Sequence, residues 1–242
     1  MKFITCNIEG DRHLAARLLP FFKQEAADVL CLQEVFAVDL PLLEAATSLR
    51  SIFVPQAQIT QVNPHLPARG DWGVAILAPE FVSWQAENYI GTAAVVPEFF
   101  ANNDPNSMNR VLLSAQVKVA GEVFQIATTH FTWSGEGVVN DEQRRAYAKL
   151  TPLLEGFEEL IFCGDLNTPR GYELWDDLAK RYSDNIPSEI DTTVDRNLHK
   201  SGFDIRLVID GLFTSQAYTA KQVRVVPNTS DHMAVVAEVK RS

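Results

Sequence analysis

The sequence predicts an α/β protein with sheets covered by helices in one layered domain. Three observations predict it. First, 242 residues (27.0 kDa), 46% hydrophobic and 21% charged, have the composition of an ordinary globular chain and exclude a disordered, fibrous or collagenous one. One domain over residues 1–242 is expected, large enough to hold its core without disulfides or a structural metal. Second, the chain opens strand, helix, strand in close order, which reads as a parallel unit with a right-handed crossover. Third, the later helical patterns fall between runs of strands.

Residues 2–6 read as a strand. From about Arg12 to Ala27, Leu14, Leu18, Leu19, Phe22 and Ala26 recur at helical spacing, with Pro20 expected to bend or split the helix. Val29 to Leu32 is a short buried strand, and Asp39 with Pro41 starts a helix running towards Leu49. Strands follow at Trp72 to Ala78, Phe81 to Tyr89, Arg110 to Val119 and Val123 to His130, the last two joined by the Ala120-Gly121 turn. Residues 91–109 form a polar loop carrying Phe99 and Phe100, expected to act as a lid. A helix from about Asp141 to Leu154, a strand from Glu159 to Cys163 and a helix from about Tyr172 to Tyr182 come next. After a long irregular stretch, three strands lie near 206–213, 221–226 and 233–239.

The charge balance is acidic: 21 basic against 31 acidic residues, net −10, pI near 5.0. Such a surface argues against a broad interface for duplex DNA, which depends on phosphate neutralisation. Cys6, Cys31 and Cys163 are too few and too scattered for a zinc site or disulfide framework; each sits in an apolar run, as buried strand residues in a reducing compartment. With no signal-peptide pattern at Met1 to Cys6 and no apolar run near the roughly 20 residues that span a bilayer, a cytoplasmic protein without a membrane span is expected. A monomer is expected. Walker, Gly-x-Gly-x-x-Gly, His-Glu-x-x-His and Gly-x-Ser-x-Gly sequences are all absent, which removes support for nucleotide-cradle, metalloprotease and serine-hydrolase readings.

The chemistry lies at strand ends. Strand one ends at Asn7 and strand two at Gln33-Glu34; as parallel neighbours their ends would lie about 4.8 Å apart. Thr128-Thr129-His130 and Gly164-Asp165-Leu166-Asn167 end two more, Asp210 interrupts an apolar run, and Ser230-Asp231-His232 opens the last strand. The edge beyond such carboxyl ends is where α/β sheets place ligands. Singly, an Asn or Asp there is a turn residue and a histidine a satisfied partner. Glu34 is different, because a carboxylate closing an apolar strand must be paired or bind a metal. Ser230, Asp231 and His232 are not expected to form a relay among themselves, since adjacent strand residues point to opposite faces.

The ordered set Thr5-Cys6-Asn7, Leu32-Gln33-Glu34-Val35, Thr129-His130-Phe131, Gly164-Asp165-Leu166-Asn167, Asp210 and Ser230-Asp231-His232 resembles the endonuclease/exonuclease/phosphatase superfamily of DNase I-like metal-dependent phosphoesterases. The resemblance spans Thr5 to His232. It implies a four-layer α/β sandwich, two mixed sheets face to face and flanked by helices, and hydrolysis of a phosphate ester by a metal-activated water. The implied cofactor is Mg²⁺ or Mn²⁺, held by Glu34 with Asn7 and Asp231 completing or supporting its coordination. Asp165 would orient and deprotonate the water, Asn167 would hold that water or a phosphoryl oxygen, and His130 and His232 would face the phosphate. Asp210 would fix the His232 tautomer.

Substrate contacts are less determined by sequence. Arg110 is a candidate phosphate contact, with an exposed salt bridge as the alternative. Trp133 is a candidate stacking residue, with packing on the core as the alternative. Arg170 leaves the catalytic strand end and is expected to face substrate. The implied substrate is short or single-stranded nucleic acid handled by a nuclease-type phosphodiesterase. The alternatives are a small phosphoester (inositol phosphate, nucleotide or lipid head group) and a catalytically idle relative that binds phospho-ligands.

Overall fold

The computed structural model describes residues 1–63, 66–201 and 203–242. Its strands are β1 (Lys2–Asn7), β2 (Val29–Phe36), β3 (Arg50–Ile59), β4 (Gly70–Ala78), β5 (Phe81–Ile90), β6 (Arg110–Val119), β7 (Glu122–His130), β8 (Ile161–Asp165), β9 (Ser183–Asp184), β10 (Asp210–Thr214), β11 (Tyr218–Val226) and β12 (Ala234–Arg241). The α-helices are α1 (Leu19–Glu25), α2 (Leu40–Thr47), α3 (Asp141–Glu155) and α4 (Glu173–Arg181). The strands form two six-stranded mixed sheets, ordered β11-β12-β1-β2-β4-β3 and β5-β6-β7-β8-β10-β9. In each sheet one central pair is parallel, β1 with β2 and β7 with β8, as the strand-helix-strand opening predicts for the first.

Alternation along β1 and β2 divides the core. Phe3, Val29 and Cys31 join Val74, Leu113, Ile126 and Phe162 between the sheets, while Ile4, Cys6, Leu30 and Leu32 pack under α1 and α2 against Phe22 and Leu43. The second sheet is covered by α3 and α4 through Ala146, Leu150, Leu154 and Trp175. Each fully buried Val, Leu, Ile or Phe among these stabilises the fold by roughly 1.5–3 kcal/mol. The result is helices, sheet, sheet, helices.

Local sequence explains the details. Pro20 does split its helix: Leu14–Leu18 form a wider π-helical stretch, and Pro20 sits in the first turn of α1, where a missing N–H does no harm. The Asn140 side chain caps α3 by accepting from the Gln143 N–H at 2.8 Å. Strand β3 carries none of the sequence signals assigned above. It is an edge strand interrupted by Pro55 at a register shift, the setting in which a strand tolerates a residue without an N–H. The irregular stretch ends later than expected, with β10 beginning at Asp210.

Loop 91–109, the expected lid, is tied to β3 by backbone hydrogen bonds. Phe99 N donates to Gln58 O at 2.8 Å and Asn109 N to Gln56 O at 2.8 Å, while Gln58 N donates to Pro97 O at 2.7 Å. The Asn109 carboxamide closes the loop base by donating to the carbonyls of Thr92 and Val95 and accepting from Thr92 N.

Candidate active site

Register brings the polar strand ends together. In the second sheet His130 pairs with Asp165, and Asp165 with Asp210, so three titratable residues form one row across β7, β8 and β10. In the first sheet Asn7 pairs with Gln33. Asn7 lies on the inter-sheet face of β1 in phase with Phe3 and Thr5. Its Nδ2 therefore crosses between the sheets, donating to Asp165 Oδ2 at 3.0 Å and Glu34 Oε1 at 2.9 Å.

Simple alternation would send Glu34 the other way. Strand β2 runs on to Phe36 rather than stopping at Glu34, and its register with β4 shifts between Leu32 and Val35. Glu34 occupies this bulge with φ 59°, a strained left-handed backbone that turns its carboxylate into the site. Asn167 (φ 47°) and Glu9 (φ 50°) share that conformation at the same end of the sheets.

The site is largely buried, which shifts its titrating groups. Glu34 is raised to about 8 by burial and the nearby Asp231 carboxylate, and Asp165 to about 6 by burial and Asp210, with His232 opposing. Burial, then Arg110 and His232, hold His130 well below the usual histidine range. For His232 burial works against charge, but the carboxylates of Asp210 and Asp165 hold its pKa well above that range. Its Nδ1 lies 2.9 Å from Asp210 Oδ2, and its Nε2 faces Asp165 Oδ2 at 3.8 Å. Asp231 is also raised by burial.

Ligand atoms of Glu34, His130 and Asp165 lie within 4.8 Å of one another, as do those of Asp165, Asp210 and His232. Half-buried Glu34 and buried Asp165, with no Lys or Arg salt-bridge partner among the described residues and beside a neutral histidine, suit a hard divalent cation. Asp231 falls outside both groups, and Asn7 Oδ1 already accepts from Glu9 N at 3.1 Å. In this arrangement Asn7 orients the carboxylates with its NH₂ rather than offering its oxygen.

The remaining sequence-derived residues divide. Asn167 N donates to Asp165 Oδ1 at 2.9 Å and its Nδ2 to Phe131 O, fixing the Asp165 carboxylate. Arg110 is 1% exposed, so the salt-bridge alternative fails; its Nη1 donates to His130 O at 3.2 Å and it lines the cleft. Trp133, at 47% exposed, does not pack on the core and stands at the cleft wall. Arg170 is a correction: its guanidinium donates to the carbonyls of Ile186, Pro187 and Ile190, so it clamps the chain after α4 and does not line the cleft. Ser230 Oγ does donate to Asp231 Oδ1 at 3.1 Å, because these residues lie in the turn before β12 and not in the strand. His232 turns to Asp210 instead, and no serine relay forms.

Sequence reasoning missed three groups. Glu9 is held by Arg12 at 2.8 Å and Lys200 at 2.8 Å, joining the end of β1 to the loop before β10. Gln143 donates to the carbonyls of Thr132 and Asn167, both at 2.8 Å, tying together the segments that follow His130 and Asp165. It shares a buried helical stripe with Ala146, Leu150 and Leu154, a spacing visible in the sequence. Asn106 bonds to Arg110 and Trp133, contacts that nothing in its polar loop announces.

Glu34, Asp165, His130 and His232 open onto a cleft of about 960 Å³ that Leu66, Phe99 and Met108 also line. Two face-to-face mixed sheets with a buried carboxylate-histidine cluster at their edge define a DNase I-like phosphoesterase fold. The sequence profile of the Endonuclease/Exonuclease/phosphatase family matches residues 4–232, and the chain belongs to that family. No curated protein matches it significantly by sequence.

Solved structures share the fold at low identity. An endonuclease/exonuclease/phosphatase from Beutenbergia cavernae DSM 12333 superposes with TM-score 0.74 at 17% identity, covering 100% of this chain and 72% of that one. The mannosyl-6-phosphatase Bt3783 of Bacteroides thetaiotaomicron VPI-5482 gives 0.69 at 15%, covering 99% of each chain. TDP2 of D. rerio, complexed with a single-strand DNA product, gives 0.64 at 16%, covering 99% of this chain and 98% of that one.

Proposed function

We propose that residues 1–242 act as one catalytic domain, a divalent-metal-dependent phosphodiesterase or phosphatase that hydrolyses phosphate esters in the cleft. The observation that carries this reading is the convergence of Glu34, Asp165, His130 and the His232–Asp210 pair at one cleft base. Mg²⁺, or Mn²⁺ in its place, would be held by Glu34, with Asp231 contributing charge and Asn7 orienting the carboxylates. When bound, the cation offsets negative charge on phosphoryl oxygens.

The chain's own groups supply the rest. Asp165, raised to about 6, is poised near neutrality to take a proton from the attacking water, and the Asn167 N–H and Asn7 amide fix which oxygen does so. His232 stays protonated beside Asp210 and donates through Nε2 to a phosphoryl oxygen. Neutral His130 offers its Nε2 from the adjacent strand, and Arg110 adds a fixed positive charge behind it.

The cleft's size favours a compact substrate, either a short single strand threading it or a small phosphoester enclosed by it. The net charge of −10 argues against an extended duplex. TDP2 with a single-strand DNA product and mannosyl-6-phosphatase represent these two classes among proteins of the same fold. No helix among the described residues is long and apolar enough to cross a membrane. Three buried free cysteines suit a reducing cytoplasm, and we propose a monomer there.

A panel of oligonucleotides, plasmid, nucleotides, sugar phosphates, inositol phosphates and sphingomyelin with Mg²⁺ or Mn²⁺ tests this. Turnover should stop with EDTA. Asp165→Ala and His232→Ala should each lower kcat by about 10²-fold or more. Unchanged rates in either variant would overturn the mechanism.

A further inference from the structure

We propose that Trp133 is a stacking plate for a planar ring carried by the substrate, and that Asn106 is the positioning residue that sets it. The inference rests on the phosphoester reading and narrows it: the group attached to the phosphate includes an aromatic or heteroaromatic ring.

Trp133 is anomalous among its neighbours. Thr132 and Ser134 on either side are 2% and 5% exposed, yet the indole between them is 47% exposed and lines the cleft. Its main chain, by contrast, is held from both sides by one side chain. Trp133 N donates to Asn106 Oδ1 at 3.0 Å, and Asn106 Nδ2 donates to Trp133 O at 2.9 Å, the pairing a neighbouring strand would make. A wet indole on a clamped backbone is preorganised for a partner that supplies its missing face.

The same carboxamide reaches the phosphate end of the cleft. Asn106 Oδ1 also accepts from Arg110 Nη2 at 2.7 Å, and Nδ2 also donates to Glu142 Oε2 at 3.3 Å, so all four of its hydrogen-bonding positions are filled. Among the described residues Arg110 is otherwise braced through Nη1 on His130 O, and its Nε is buried without a partner. One residue therefore fixes the distance between a buried cation beside the catalytic histidine and an exposed aromatic face. Trp72 and Phe99 line the same cleft, their rings 4.9 Å apart. A planar ring against such apolar surfaces is favoured over a polyhydroxylated ring, which needs a polar partner for each buried hydroxyl.

A matched pair of esters tests this. Benzyl phosphate and cyclohexylmethyl phosphate each place a six-membered carbon ring one methylene from the ester oxygen and differ in planarity. The wild type should favour benzyl phosphate in kcat/KM by about fivefold or more. Trp133→Leu should bring that ratio to within about twofold of unity, with Trp133→Phe retaining part of it. Asn106→Ala should collapse the ratio and lower kcat on both esters. Asn106→Asp keeps the acceptor for Arg110 and should recover kcat on cyclohexylmethyl phosphate relative to Asn106→Ala. A merely structural Asn106 would lower both rates and leave the ratio intact, and that result overturns its role. An unchanged ratio in Trp133→Leu overturns the plate.

A second readout needs no turnover. With EDTA present, benzyl phosphate should protect wild-type fluorescence from acrylamide quenching, cyclohexylmethyl phosphate should not, and Trp133→Phe should show no such protection. If the wild type hydrolyses neither ester while benzyl phosphate alone protects, the hydrolytic reading weakens and the plate stands. Equal protection by both esters, or by neither, overturns the plate.

Discussion

Two arginines show what residue identity alone leaves open. Arg110 and Arg170 both follow loops at the catalytic end, yet one is buried behind His130 and the other pins three carbonyls of the chain after α4. Arg170→Met should therefore lower stability by about 1–3 kcal/mol, the cost of leaving partly buried acceptors unpaired. KM should stay unchanged in the folded fraction. Urea denaturation with Michaelis kinetics checks this, and a raised KM at unchanged stability would return Arg170 to the substrate. The candidate site residues were legible because acids, amides and histidines closing apolar strands are out of place there. Asn106 and Glu9 were not, because an amide in a polar loop and an acid in a turn look like solvated residues until contacts from distant segments close on them. Gln143 was legible in principle, since a polar residue in phase with Ala146, Leu150 and Leu154 has to face the core.

At the scale of elements, the site depends on how closely β7 and β8 approach. Thr129 pairs with Gly164 one step before the His130–Asp165 pair. Gly164 has φ 140°, and a Cβ there would lie 2.0 Å from Thr129 O, a backbone atom that cannot swing away. Gly164→Ala should thus both strain the backbone and pry apart the strands that carry Asp165, the proposed base, and His130. A loss of roughly 3 kcal/mol or more is expected, read as a large fall in thermal midpoint or in soluble yield. A midpoint within a degree or two of wild type would mean the strands yield cheaply there. Regular elements were largely legible: β1, β6, β7 and α3 follow their periodicities. What failed was local. Strand β3 is carried by tertiary pairing in spite of Pro55, and β2 continues past Glu34 because a bulge absorbs the residue that binary patterning takes as an end. The anchoring of loop 91–109 was illegible for the same kind of reason: backbone bonds from Pro97, Phe99 and Asn109 run to β3, more than thirty residues earlier.

For the whole molecule, the acidic balance and the buried site meet in one dependence on pH. Without metal, Glu34 is raised from 4.5 to about 8 and Asp165 from 3.8 to about 6, chiefly by burial. Both folded values exceed the unfolded ones, so between about pH 4 and 8 the folded state holds more protons than the unfolded chain. Stability is then full at the acid end of that window for these two groups and is lost as pH rises through their folded values. The remaining acids, mostly exposed, add self-repulsion of the same sign as pH rises. A divalent cation on Glu34 reverses the local part of this, because it favours the ionised carboxylate and expels the proton. Metal-stripped protein should melt progressively lower from about pH 6 to about pH 8. Added Mg²⁺ should raise the midpoint more at the higher pH, where no proton has to be displaced. Titration calorimetry in buffers of different ionisation enthalpy should show close to one proton released per metal near pH 7. Equal Mg²⁺ stabilisation at both pH values, with no proton release, would place the cation away from Glu34.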